Sequence, residues 1–132
     1  MRILILAIII TFISCGNDND IEIKDTLTTL IVNIEDADGN YVADIPVYAY
    51  NETTWATYGD DPEFADFEIK SDDEGVAVFN SLTTDEAFND ANGNSQTYMF
   101  SVHYTIDGVD KTKERNISFN LGDDKTTTIV IN

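Results

Sequence analysis

The sequence predicts an all-β domain, either a sandwich or a barrel of several short strands, and three observations lead to this fold class. Apolar residues recur at alternate positions in several short segments, which is the period of a strand with one buried face. Clusters of glycine, asparagine and aspartate separate those segments, as tight turns require. No long stretch of the chain repeats its apolar residues with the period of a helix.

Seven strands are predicted, at 30–34, 42–50, 67–70, 76–79, 97–106, 114–121 and 126–131. Pro46 has no backbone donor, so it belongs at an edge or at the start of the second strand. Asp107-Gly108 is a hairpin signal, and 122–124 marks another tight connection. The last three strands are therefore expected to form an antiparallel meander.

Two polar, acidic segments, 52–65 and 83–95, interrupt the alternation and are predicted to be long loops. If the strands are a scaffold, function is expected in such loops.

The first residues have the pattern of a secretory signal. Arg2 precedes an apolar run at 3–13, whose eleven residues would rise only about 16 Å as a helix, too little to span a bilayer. The run ends in Phe12-Ile13-Ser14-Cys15, which resembles the lipobox of bacterial lipoproteins, with Cys15 as the acylated residue. The alternative is that Cys15 is a leftover thiol of the leader.

This interpretation divides the chain into a signal peptide at 1–14, a lipidated cysteine with a flexible acidic tether at 15–26, and the sandwich at 27–132. Asp18 and Asp20 are either part of a solvated linker or resemble the surface-export signal of Bacteroidota lipoproteins. The tripeptide around Thr26 resembles an O-glycosylation motif of the same phylum. We expect a lipid-anchored protein of the outer membrane, displayed at the cell surface, with retention on the periplasmic face as the rival.

Charge restricts the partners. The chain has 25 acidic and 7 basic residues, a formal charge of −18 and a pI near 4.1. Nucleic acid is not expected as a partner, because binding to phosphates depends largely on lysine and arginine. The expected partners are the membrane, through Cys15, and either protein neighbours or a glycan.

The sequence offers little for catalysis, so we predict a non-enzyme with no catalytic residue. The single histidine, His103, is expected on the solvated face of its strand if Tyr98, Phe100 and Val102 face the core. No Gly-x-Ser-x-Gly sequence indicates a nucleophilic serine.

Two segments space oxygen ligands at alternate positions, as the start of a calcium loop does. The first, Asp36 to Asn40, is better explained as a turn around Gly39. The second, made of Asp90, Asn92 and Asn94 in an acidic loop, is a candidate calcium site. No other cofactor is expected.

Aromatic residues provide the candidate ligand-binding surface. Tyr48 and Tyr50 alternate with inward residues, and Trp55 and Tyr58 lie in the first long segment. Exposed rings stack on sugars or anchor protein partners. The alternative is that several of them fold inward and cover the edge of the sandwich.

Two motifs resemble the prealbumin-like sandwich domains of the carboxypeptidase regulatory-like group: "LIVNIEDADGNYVADIPVYAY" and "SDDEGVAVFNSL". Asp44 stands where that group usually has glycine. The resemblance implies a seven-strand, two-sheet sandwich of immunoglobulin-like build without catalytic activity. It favours a lipid-anchored accessory or structural module of the cell envelope that contacts protein neighbours. The alternative function is a surface carbohydrate-binding module.

Overall fold

A computed structural model of the chain describes residues 28–82, 95–120 and 122–132. Its strands are β1 Thr29–Glu35, β2 Pro46–Asn51, β3 Phe67–Lys70, β4 Val76–Phe79, β5 Ser95–Ile106, β6 Val109–Asn120 and β7 Asp124–Val130. A short helix, α1 Glu52–Tyr58, and a 3₁₀ turn, Pro62–Phe64, lie between β2 and β3. Within these residues, no helix is both long and apolar enough to cross a membrane.

The strands form two sheets, ordered β4-β1-β7 and β3-β2-β5-β6. All pairs are antiparallel except β1 with β7, which run parallel from Thr29 opposite Asp124 to Glu35 opposite Val130. The predicted all-β sandwich of seven strands in two sheets is therefore confirmed. Pro46 is the first residue of β2, where its missing donor costs the ladder nothing.

The predicted meander of the last three strands is wrong in its last step. β5 and β6 do form a hairpin, and Asp107 and Gly108 both have positive φ there, 53° and 74°. After the turn at Gly122, however, β7 joins the other sheet beside β1. A tight turn reverses the chain whether the next strand joins the same sheet or the facing one, so the turn residues could not decide between them.

The core lies between the sheets and is filled by the alternate residues of each strand. Tyr98, Phe100, Val102 and Tyr104 of β5 are all buried, as the sequence predicts. Phe100 packs edge-on against Phe79 of the facing sheet, with ring centroids 5.3 Å apart. Full burial of each such side chain contributes about 1.5–3 kcal/mol.

Two turns position the ends of the strands. In the first, Asp36 Oδ1 accepts hydrogen bonds from the backbone nitrogens of Asp38 and Asn40, each at 2.9 Å. The Asn40 side chain also donates to this carboxylate and is the largest cause of its lowered pKa. The segment is thus a turn, as expected. Asp44 has a φ of 60°, the left-handed conformation that glycine adopts most easily.

Lysine side chains of β6 and β7 connect the edge strands of the two sheets. Lys111 Nζ donates to the backbone oxygen of Asn132 at 2.8 Å, and Lys125 Nζ donates to that of Ser118 at 2.6 Å. These bonds link β6, at the edge of one sheet, to β7 and the residues after it, at the edge of the other.

Candidate binding surface

Residues 52–64 cover the outer face of the four-stranded sheet, and we call them the helical cover. Asn51 caps α1, because its side-chain oxygen accepts from the Thr54 backbone nitrogen at 2.9 Å. Gly59 ends the helix by donating its backbone N–H to the Trp55 carbonyl at 2.8 Å. Asp61 then caps the 3₁₀ turn that Pro62 begins.

The prediction of a long loop at 52–65 is therefore wrong, because the segment contains a helix and a 3₁₀ turn. A helix of seven residues is too short to show a repeating apolar pattern, and it depends on packing more than on propensity. The signals that could have revealed it are the capping residues, namely Asn51 at the start, Gly59 at the end, and Asp61 before a proline.

Tyr50 lies under the helical cover. Its side chain points away from the main core, as predicted, but it is fully buried rather than exposed. The Trp55 ring packs edge-on against it, with centroids 5.3 Å apart. Burial is the main cause of the raised pKa of Tyr50, and its hydroxyl donates to Asp60 Oδ1 at 3.3 Å. Tyr50 thus folds inward, which is the alternative that the sequence left open for these aromatic residues, because α1 covers this face.

His103 joins the end of the helical cover to the sheet. Its Nε2 lies 2.9 Å from Asp60 Oδ2 and 3.0 Å from Asp60 Oδ1, and the two side chains are only 30% and 19% exposed. Tyr48 packs edge-on against the imidazole at 5.1 Å. His103 does lie on the outer face, as predicted, but it is half-buried and paired rather than freely solvated.

Asp66 fixes the other end of the helical cover. One of its carboxylate oxygens accepts from the Asn51 backbone nitrogen at 2.6 Å. The other accepts from the Asn51 side-chain nitrogen and from the Thr54 hydroxyl, each at 3.1 Å. The segment is thus tied to the sheet at its start by Asp66 and near its end by Asp60.

The exposed part of the helical cover is an aromatic pair, Tyr58 and Phe64. Their rings stack nearly parallel, at an angle of 8°, with centroids 4.1 Å apart. Tyr58 is 51% exposed and Phe64 is 42% exposed. Of the four aromatic residues predicted to bind a ligand, only Tyr58 is exposed, whereas Tyr48 and Trp55 are partly buried. Phe64 is not one of these four but is also exposed, so the prediction from sequence missed it.

The chain around this pair is strongly acidic. Residues 51–69 contain six carboxylates and no lysine, arginine or histidine. Asp61 and Glu63 lie in the short connection between the two stacked rings, and both are exposed. The aromatic pair is therefore presented to solvent beside negative charge.

A shallow cleft of about 240 Å³ lies at the end of the β5–β6 hairpin, beside His103 and Lys111. It is smaller than typical small-molecule sites, which measure about 300–1,000 Å³. Thr105 and Asp110 on its wall are bonded to each other at 2.7 Å. In the described part of the chain, no serine or threonine hydroxyl hydrogen-bonds to His103, and no group of three acidic, histidine or cysteine side chains is arranged to hold a metal ion.

Several predicted sites lie outside the described residues. These are Cys15, Thr26 and the calcium candidates Asp90, Asn92 and Asn94. They remain predictions from the sequence.

No protein-family model matches the sequence, and no curated protein matches it. Among solved structures, the Bacillus anthracis TIE protein is similar over 80% of this chain, with 12% identity and a TM-score of 0.42. The similar region covers 16% of that protein, so this chain spans about a sixth of its length.

Proposed function

We propose that the protein is a non-catalytic binding module of the cell envelope, anchored by lipid, that contacts protein neighbours through the aromatic pair of the helical cover. The observation that carries this proposal is the exposure of Tyr58 and Phe64, at 51% and 42%, on a segment held to the sheet at both ends. Aromatic residues supply much of the binding free energy at protein interfaces. A segment that is already ordered loses little conformational entropy when it binds.

The surroundings of His103 support the proposal of a non-catalytic protein. Its Nε2 forms a hydrogen bond with Asp60, and Tyr48 packs against the ring. These contacts give the histidine a structural role, which is to hold the helical cover to the sheet. The neighbouring cleft is also small for a substrate site.

The anchoring part of the proposal depends on the sequence. Cys15 ends an apolar run and precedes a polar tether, and Asp18 and Asp20 follow it closely. Two or more acyl chains hold a protein on a membrane far longer than a single one does. The seven-strand, two-sheet architecture that the resemblance to prealbumin-like domains implies is the one observed, which supports an accessory module.

Photo-crosslinking in intact cells tests the binding function. A photoreactive phenylalanine analogue is placed at position 58 or 64 and, as a control, at position 41, because Tyr41 is 62% exposed and lies outside the helical cover. We expect a discrete protein adduct from positions 58 and 64 and a much weaker one from position 41. Equal adducts from all three positions, or none, would contradict the proposal.

Metabolic labelling with palmitate tests the anchor. The wild type should incorporate label and Cys15→Ala should not, whereas equal labelling of both would show that Cys15 is not the acylated residue. Protease treatment of intact cells then separates surface display, in which the domain is digested, from the periplasmic face, in which it is protected.

Carbohydrate binding is the second candidate, and the exposed ring of Tyr58 favours it. Three of the aromatic residues first considered for this role are buried or partly buried, which leaves a smaller platform than the sequence indicates. Binding of the full chain on a glycan array, lost in Tyr58→Ala and retained in Tyr41→Ala, would favour this function. No binding to any glycan would exclude it.

A further inference from the structure

We propose that the partner recognised by the aromatic pair is a basic protein segment whose arginine side chains stack on Tyr58 and Phe64 between the carboxylates of the helical cover. This inference rests on the proposed protein-binding function and specifies the chemistry of the partner.

The rings of Tyr58 and Phe64 are accessible to a partner. Tyr58 and Phe64 stack on each other at 4.1 Å, yet about half of each residue is accessible to solvent. Among the described residues, the only cation over an aromatic face is Lys125, which lies 5.4 Å from the centroid of the Phe119 ring. The accessible aromatic surface of Tyr58 and Phe64 is thus available to a cation from another molecule.

The charge of the helical cover complements a basic partner. Asp61 and Glu63 are exposed in the connection between the stacked rings, and Glu52 and Glu68 are exposed nearby in the chain. The segment 51–69 has no positive residue of its own to neutralise them. A basic segment would gain attraction from these carboxylates, whereas an acidic segment would be repelled.

Arginine suits this surface better than lysine. The planar guanidinium stacks on aromatic faces and is less strongly hydrated than an ammonium group. It can also donate two parallel hydrogen bonds to a carboxylate such as Glu63. An exposed aromatic pair whose connecting residues carry exposed carboxylates therefore favours arginine.

Peptide binding to the full chain, solubilised in a nonionic detergent, tests this inference by fluorescence anisotropy at about 150 mM salt, where long-range attraction is screened. The probes are three short labelled peptides in which glycine alternates with arginine, lysine or glutamine. We expect the arginine peptide to bind several-fold more tightly than the lysine peptide, and the glutamine peptide not to bind.

Substitutions in the aromatic pair separate stacking from simple charge attraction. Tyr58→Leu and Phe64→Leu should each weaken arginine-peptide binding by about two- to fivefold, while Tyr41→Leu should leave it unchanged. Both side chains of the pair are about half exposed, so the variants should fold, and a thermal melt checks this. If Phe64→Leu is unfolded, Tyr58→Leu carries the test.

A matched pair of charge variants separates attraction to Asp61 and Glu63 from attraction to the overall negative charge of the chain. Asp61→Asn/Glu63→Gln and Asp73→Asn/Glu74→Gln change the net charge equally, and all four residues are exposed. Asparagine also preserves the cap that Asp61 provides. The first variant should weaken binding of the arginine peptide clearly more than the second. Equal weakening, or equal affinity for arginine and lysine peptides, would show non-specific attraction and overturn the inference.

The two proposals can fail separately. A discrete crosslinked protein without arginine preference in the peptide assay would leave the binding function standing and overturn the basic partner. Arginine preference at Tyr58 and Phe64 without any crosslinked protein in cells would support the surface chemistry and contradict the proposed function. Glycan binding at the same rings, with no peptide binding, would overturn both.

Discussion

Replacing Gly75 by alanine should destabilise the domain far more than a typical surface substitution. Gly75 has a φ of +72°, and a Cβ built there would lie 2.9 Å from the Ile34 carbonyl oxygen, 2.9 Å from Tyr41 Cβ and 3.0 Å from the Val42 nitrogen. Two of these neighbours are backbone atoms of segments joined by hydrogen bonds: the Ile34 nitrogen donates to the Gly75 carbonyl, and the Val42 nitrogen donates to the Ile34 carbonyl. They cannot move aside without loss of those bonds.

The expected loss of stability in Gly75→Ala combines two costs and one smaller gain. A left-handed backbone costs a residue with a Cβ roughly 1–2 kcal/mol, and forcing an extra carbon into a packed site costs about 1–3 kcal/mol more. Reduced freedom of the unfolded chain returns about 0.4–1 kcal/mol. Gly75→Ala should therefore lower the free energy of unfolding by about 2–4 kcal/mol.

Gly39→Ala is the matched control. Gly39 also has a positive φ, +81°, but its Cβ would meet nothing within 4 Å. Only the backbone cost applies, so the loss should be about 1 kcal/mol. Urea unfolding, followed by fluorescence of the single tryptophan, Trp55, measures both variants. If the two losses agree within about 0.5 kcal/mol, which is the ordinary scatter of such comparisons, the steric argument is wrong.

Three further predictions concern the core, the pH dependence and the helical cover. Phe100→Ala should cost about 3–5 kcal/mol in urea unfolding, and a loss below about 1 kcal/mol would contradict its place in the core. Burial raises the pKa of Tyr98 from 10.0 to about 12, so the folded state favours the neutral form of this side chain. The stability that results, about 3 kcal/mol, is complete below pH 10 and is lost as the pH rises through 12. Tyr98→Phe should flatten this alkaline loss, and an unchanged pH profile would contradict it. Asp60→Asn should destabilise the domain by about 1–3 kcal/mol and speed hydrogen exchange in α1, because His103 would lose its charged partner. Unchanged exchange would show that the contact between Asp60 and His103 does not hold the helical cover.

The sequence predicted the features that depend on neighbouring residues. Alternation in β5 identified the buried side chains of Tyr98, Phe100 and Val102, because a strand directs successive residues to opposite faces. The turn at Asp36 followed from the local hydrogen bonding of its side chain.

Features that depend on distant parts of the chain could not be predicted. The pairing of β7 with β1 joins residues 95 positions apart, such as Thr29 and Asp124, and no local pattern specifies it. The burial of Tyr50 depends on α1 folding back over the sheet. The aromatic pair likewise needs the turn after Gly59, which brings Phe64 against Tyr58.

The parallel pairing of β1 and β7 also determines how the domain responds to a pulling force. Thr29 begins β1 opposite Asp124, while Ile131, just after β7, donates to the Glu35 carbonyl at the far end of β1. Thr29 and Val130 therefore lie at opposite ends of this strand pair, roughly 20 Å apart along the strands. Tension between them would act along the strands and load the ladder bonds of β1 and β7 together, in shear, rather than opening them one after another. The strands β1 and β7 should therefore resist such a pull more strongly than a pair of strands whose bonds open one at a time.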